Sequence, residues 1–230
     1  MNMIRLALGL CLMLSLTTHA KESGEAHEHA HAVPPGVSAE QARQWLSNGN
    51  VRFRTAKYRR DGKSMSDIKK LAGGQKPHSV ILSCADSRVP PELLFDQALG
   101  EIFVIRVAGE ALDSSVIASI EYAVAHLGTR NIVVMGHTQC GAIKAAMGAK
   151  KGASSGSSSL DALVADILPR LSQGAGPSSD VTKESSANAS GVAKDLVKRS
   201  PIIADAVKSG EVKISSALYH LEDGKVNWLE

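Results

Sequence analysis

The chain has no long hydrophobic run, no marked excess of charge of either sign and very little cysteine, and each shortage removes a class of function. Its longest apolar stretch, Leu6 to Leu16, covers eleven mostly apolar residues, well short of the ~20 that a spanning helix needs. Basic and acidic residues number 26 and 23, so the charge footprint of a nucleic-acid partner is missing. The three cysteines form no Cys-x-x-Cys pair, which weighs against thiol-redox chemistry.

The N-terminus reads as a targeting segment. Met1 to Arg5 is a short positive start, the apolar run follows, and Thr18-His19-Ala20 offers a small-residue cleavage site before Lys21. Residues 1–20 are therefore expected to be a secretory signal peptide, leaving a periplasmic protein with no membrane attachment. Leu10 precedes Cys11 where lipidation would want a small residue, so lipidation is not expected. Losing Arg5 with the signal leaves 25 basic residues against 23 acidic. Residues 21–36 are polar, carry His27, His29 and His31, and end in Pro34-Pro35-Gly36. A disordered tail is expected there, with loose metal gathering as the competing reading. Residues 37–230 suit one α/β domain.

Ser38-x-x-Gln41 resembles a capping box opening a helix through Trp45 to Asn48. The basic stretch Arg52 to Arg60, with Phe53 and Tyr58, reads as a solvated helical face or as an arm over a neighbour. From residue 79 strand and helix alternate. Strands are predicted over 79–83, 102–107 and 131–135, a helical turn after Pro90-Pro91, and helices over 114–127 and 139–148. That rhythm predicts a parallel sheet flanked by helices. Val116, Ile117, Ile120, Val124 and Leu127 share the face that should cover it. Lys150 to Ser159 reads as a Gly/Ser loop, two or three helices follow up to Lys208, and Pro201 after Ser200 marks a helix start. Asp223-Gly224, between Val212–Leu221 and Val226–Leu229, predicts a terminal β-hairpin.

Two of the predicted strands end in Cys84-Ala85-Asp86-Ser87-Arg88 and His137-Thr138-Gln139-Cys140, at the edge where open α/β sheets collect ligands. Cys84, His137 and Cys140 make a three-ligand set of the kind that leaves a catalytic zinc one open position. Two thiolates neutralise the ion and lower its Lewis acidity, so a neighbouring group must compensate. Asp86 is placed to ligate the metal or to accept a hydrogen bond from metal-bound hydroxide, and the planar fork of Arg88 would hold it to the second role. A Cys84–Cys140 disulfide in an oxidising compartment and an ordinary Asp86–Arg88 ion pair are the plainer alternatives. Neither explains an aspartate beside one cysteine and a histidine beside the other.

At these residues the chain resembles the β-class carbonic anhydrases, whose signatures are Cys-x-Asp-Ser-Arg and His-x-x-Cys-Gly. The similarity runs from roughly Asn48 to Trp228, through Gly100-Glu101-Ile102-Phe103-Val104-Ile105-Arg106, Ile120-Glu121-Tyr122-Ala123 and Ala217-Leu218-Tyr219-His220-Leu221. The resemblance implies reversible hydration of carbon dioxide to bicarbonate and a proton by zinc hydroxide, with one Zn2+ per chain. It further implies an α/β fold with a four-stranded parallel sheet, an added antiparallel C-terminal strand, and a homodimer or homotetramer.

Residue by residue, the resemblance gives Cys84, His137 and Cys140 the metal, and Asp86 with Arg88 the catalytic dyad. It assigns Gln75 to substrate, Phe103 and Tyr122 to a narrow cleft partly across a dimer interface, and Gly141 to the small position beside the second cysteine. Phe103 and Tyr122 read equally well as core. A bicarbonate-inhibited subgroup carries a tryptophan where this chain has Ile81, although Arg106 and Tyr219 match it, so an open site with Asp86 paired to Arg88 is expected. His78, His126 and His220 are proton-shuttle candidates by residue type alone. Two rivals stay open: a carbonyl sulfide or carbon disulfide hydrolase on the same scaffold, and a periplasmic zinc carrier, which has no use for Asp86 and Arg88.

Overall fold

The computed structural model describes residues 37–149 and 154–229. The signal peptide and His-rich tail read over 1–20 and 21–36 lie outside these residues, as do residues 150–153 of the Gly/Ser loop.

In chain order the elements are α1 (Ala39–Arg54), α2 (Met65–Leu71), β1 (Ser79–Ser83), α3 (Pro91–Leu94), β2 (Ile102–Arg106), α4 (Ser114–Leu127), β3 (Asn131–His137), α5 (Gly141–Gly148), α6 (Ser158–Ile167), α7 (Val181–Arg199), α8 (Pro201–Lys208), β4 (Lys213–Tyr219) and β5 (Val226–Leu229). The sheet runs β2-β1-β3-β4-β5, with β1–β4 parallel and β5 antiparallel to β4. β1 and β3 are buried along their whole length, as expected of parallel strands covered on both faces. Ile81 sits in register between Val104 on one side and Val133 on the other.

Alternation of side chains along the strands divides the core into two layers. Val80, Leu82, Ile132 and Val134 meet Val116, Ile117, Ile120 and Ala123 of α4 and Ala189, Val192 and Leu196 of α7. Ile81, Val133, Met135, Ala217 and Tyr219 meet Leu46 of α1, Leu94 and Phe95. α4 has the predicted bounds because both ends carry stops. The Asp113 carboxylate accepts from the Ser115 and Val116 N–H groups, and Gly128 closes the helix at φ +70.

Several expectations shift. Ser38 caps α1 through the Gln41 N–H at 3.2 Å, but the helix continues to Arg54. The basic stretch is solvated only in part: Arg54, Lys57, Tyr58 and Arg60 are exposed, but Arg52 Nε lies 2.6 Å from the buried carboxylate of Asp96, and Arg59 pairs with both Asp61 and Glu101. β3 runs on to His137, and the helix after it starts at Gly141, because Gln139 takes a left-handed φ of +58. α6 begins at Ser158, inside the segment read as loop, with Ser157 capping it through the Leu160 N–H. α6, α7 and α8 fall where two or three helices are expected, and α7 is started by Asp180 and held by its buried Ala189, Val192 and Leu196.

One close contact ties these layers together. A Cβ on Gly49 would lie 1.7 Å from the Phe95 carbonyl oxygen, so α1 can pass α3 only with glycine there. Beside it the Asn50 amide donates to the Leu94 and Gly224 carbonyls and accepts the Val226 N–H, joining α1, α3 and the terminal hairpin. Asn50→Ala removes three bonds from a buried junction and is expected to lower stability by about 2–4 kcal/mol, read from urea denaturation; a loss below about 0.5 kcal/mol would contradict the junction's role.

Candidate metal centre

The sheet order brings the site together. β1 has β2 on one side and β3 on the other, so the chain leaves these two strands in opposite directions and a crevice opens at their C-terminal ends. Cys84 follows β1 directly, His137 is the last residue of β3, and Cys140 precedes α5. Their three ligand atoms lie within 4.8 Å of one another, and all three residues are buried. The two sulfurs are 4.0 Å apart and both thiols are free, so the disulfide alternative is not the state seen.

The imidazole shows what the cluster is for. His137 Nδ1 donates to the Thr138 carbonyl at 2.8 Å, which leaves Nε2 as the lone-pair nitrogen, turned toward the two sulfurs. That Nε2 is buried with no hydrogen-bond partner, an arrangement that costs about 1–3 kcal/mol unless something else binds it. A carbonyl on the far nitrogen is the usual way to fix a metal-binding tautomer. The Cys84 thiol is drawn down to about 4, first by the hydrogen bond from Cys140 and further by the Gly109 and Asp86 N–H groups, against its burial. The same sharing keeps the proton on Cys140. Two sulfurs and one nitrogen with a lone pair suit a borderline-soft divalent ion.

Asp86 stands beside this cluster, with Oδ2 3.9 Å from His137 Nε2. Arg88 grips it with Nε on Oδ1 at 2.9 Å and Nη2 on Oδ2 at 2.7 Å, and its own N–H adds a third bond to Oδ1 at 2.9 Å. The paired guanidinium holds the carboxyl well below the ordinary carboxylate range. Asp86 therefore stays an anion turned to Arg88.

The surrounding bonds had no local signal in the sequence. Arg106, opposite Ser83 in the register, donates to the Cys84 and Asp86 carbonyls at 3.1 and 2.6 Å and pins the segment between them. The Gly109 N–H points at Cys84 Sγ at 3.4 Å. Thr138 accepts the Leu221 N–H and donates to Glu222, mooring the histidine loop to the terminal hairpin. Glu110 is buried, and burial, followed by the charge of Cys84, pushes its carboxyl well above the usual range against the Asn188 hydrogen bond.

The other candidates fall elsewhere within one chain. Gln75 is exposed and precedes β1. Phe103 pairs with Val80, four residues before Cys84 and so about 13 Å along the strand from it. It packs half-buried on the first core layer. Tyr122 is half exposed, its ring 5.1 Å from His126, so it is not core. Gly141 opens α5 with free space where a Cβ would be. Ile81 and Tyr219 share the second core layer. His78 is buried between Gln97 and Ser79, and His220 bonds Asn227, so neither is a free surface base.

A parallel α/β sheet carrying two thiols, an imidazole and a fixed carboxylate at its C-terminal edge is a donor set that could hold a metal ion in an enzyme crevice. Comparison with known proteins narrows this. The family model for carbonic anhydrase matches residues 79–226. Carbonic anhydrase 2 of Mycobacterium tuberculosis is 36% identical over 192 residues, 83% of this chain and 93% of its own length. The β-carbonic anhydrase CafA of Aspergillus fumigatus superposes with a TM-score of 0.61 at 26% identity, covering 71% of this chain and 80% of that one. Two tetrameric β-carbonic anhydrases of Sordaria macrospora are represented by a match with a TM-score of 0.59 at 25% identity, over 70% and 85% of the two chains. The chain belongs to the carbonic anhydrase family, and its mostly parallel sheet is that of the β class.

Cys140→Ser should leave the fold intact and weaken divalent-metal retention by at least about tenfold, measured by competition with a chromogenic chelator. Unchanged retention would separate Cys140 from the metal.

Proposed function

We propose that the protein catalyses the reversible hydration of carbon dioxide to bicarbonate and a proton, with one Zn2+ held by Cys84 Sγ, His137 Nε2 and Cys140 Sγ. The observation that carries this is the buried, unpartnered His137 Nε2 facing two free thiols beside a carboxylate that Arg88 has already oriented. Zinc, when bound, supplies Lewis acidity that makes a water nucleophilic near neutral pH.

The chain's own groups do the rest. The two thiolates and the neutral imidazole set the charge of the centre. Asp86, ionised and turned by Arg88, accepts a hydrogen bond from the attacking solvent molecule and so aims its lone pair at the carbon of the substrate. Arg88, clamped on both carboxylate oxygens, stops Asp86 from swinging to the metal and closing the open position. Arg106 fixes the Cys84–Asp86 backbone, so ligand and carboxylate move together. Carbonyl sulfide and carbon disulfide present the same electrophilic carbon, and only a direct rate comparison separates them. A zinc carrier needs no such oriented carboxylate, which favours the enzyme.

Gln75, Phe103 and Tyr122 join the substrate cleft in this proposal only if a second subunit completes it. β2 is an edge strand, half-buried along its length, and the tetrameric relatives support a homodimer or homotetramer. Among the described residues no helix is long and apolar enough to cross a membrane. Release into the periplasm after cleavage at Ala20 is the proposed destination, and a fractionated protein beginning at Lys21 would support it.

Stopped-flow hydration assays on the zinc-loaded protein provide the test. Turnover that disappears on chelation and returns with zinc is expected, and negligible hydration of carbon dioxide would refute the proposal. Asp86→Asn should keep one zinc per chain while turnover drops about 10²–10⁴-fold. Full activity in that variant would remove Asp86 from the mechanism.

A further inference from the structure

The Ala108–Glu110 turn sits against the Cys84 sulfur in an unusual backbone conformation. Gly109 and Glu110 are successive left-handed residues, at φ +60 and +52, a state that only glycine adopts freely. Gly109 has a second reason to be glycine: a Cβ there would lie 2.7 Å from Ile167 Cδ1 and 3.0 Å from Ala142 Cβ. The turn directs the Gly109 N–H to Cys84 Sγ. Glu110, which has a Cβ, is strained at this φ, and a strained residue persists only where surrounding bonds hold it.

The holding group is Asn188. It lies in the middle of α7, fully buried. Its amide Nδ2 donates to the Gly109 carbonyl at 2.8 Å and to Glu110 Oε2 at 3.2 Å. Both amide hydrogens therefore go to this one turn. The opposite orientation would set Oδ1 against the Gly109 carbonyl oxygen, which can only accept, so that bond fixes the amide's pose. α7 comes close enough because β3 has glycine at position 136, where a Cβ would lie 3.0 Å from the Ser185 carbonyl oxygen.

We propose that Asn188 is a positioning residue for the metal centre, clamping the Gly109–Glu110 turn so that the Gly109 N–H stays on the Cys84 sulfur. An N–H donated to a ligating thiolate withdraws electron density from it and raises the Lewis acidity of the ion. In a centre with two thiolates this offsets part of the charge that they donate. The inference rests on the zinc reading of Cys84, His137 and Cys140.

The test uses the full-length metal-loaded protein. Asn188→Leu keeps the branching at Cγ, with bulkier methyl groups, and removes both donors. It is expected to lower zinc affinity 10–100-fold in chelator competition and to move the thiolate-to-metal charge-transfer band of the cobalt-substituted protein to longer wavelength. Glu110→Gln retains an oxygen acceptor for the amide and should stay within about threefold of the parent affinity. A merely structural asparagine would lower the melting temperature and leave the band of the folded protein where it was, and that result overturns the proposal. Should Asn188→Leu not fold, cadmium-113 loading of the parent gives a direct reading by NMR. A scalar coupling between cadmium and the Gly109 amide proton supports the bond, and its absence overturns it. A parent protein that binds no zinc or hydrates no carbon dioxide would instead refute the function itself. A parent that does both, with Asn188→Leu unchanged, refutes the positioning role alone.

Discussion

The site depends on β1 and β3 lying side by side in parallel while their onward connections diverge. Only that pairing places Cys84 and His137, which are 53 positions apart in the chain, at one end of adjacent strands. Every further contact of the centre is secured to it. Arg106 comes from β2 in register with β1, Thr138 follows β3 directly, and Asn188 comes from the helix covering β3. The apolar layers on both faces of the sheet hold the pairing in place, so stability and chemistry share one foundation.

Within that frame the electrostatics are divided between two sides of the crevice. The buried side gathers negative charge on sulfur and tempers it with backbone N–H groups. The open side carries Asp86, whose anion is neutralised by a half-exposed Arg88. This arrangement lets a carboxylate sit 3.9 Å from the unpartnered imidazole nitrogen while both of its oxygens are held by Arg88. Lysine, a single point of charge, could not occupy both oxygens at once.

Much of this was legible in the sequence, and for definite reasons. The clustering of Cys84, His137 and Cys140 could be read because a short spacing and two strand-like runs put each residue at a predictable edge. α4 was found with its bounds from its apolar stripe, and the Asp113 cap and Gly128 explain why it begins and ends there. The same local reading failed where the partner is distant. Arg52 and Arg59 looked solvated, since Asp96 and Glu101 lie more than forty positions away. Asn188 was hidden in a Ser- and Ala-rich stretch that carries no periodic signal of its importance. Gln75, Phe103 and Tyr122 rested on family likeness alone, and within one chain Gln75 and Phe103 lie away from the thiols while Tyr122 is half exposed.

The mooring of Thr138 to Leu221 and Glu222 makes the terminal hairpin part of the scaffold of the crevice. Loosening β4 from β3 would free the loop between the imidazole and the second thiol, so damage at the far side of the sheet would reach the centre without touching any of its three donors.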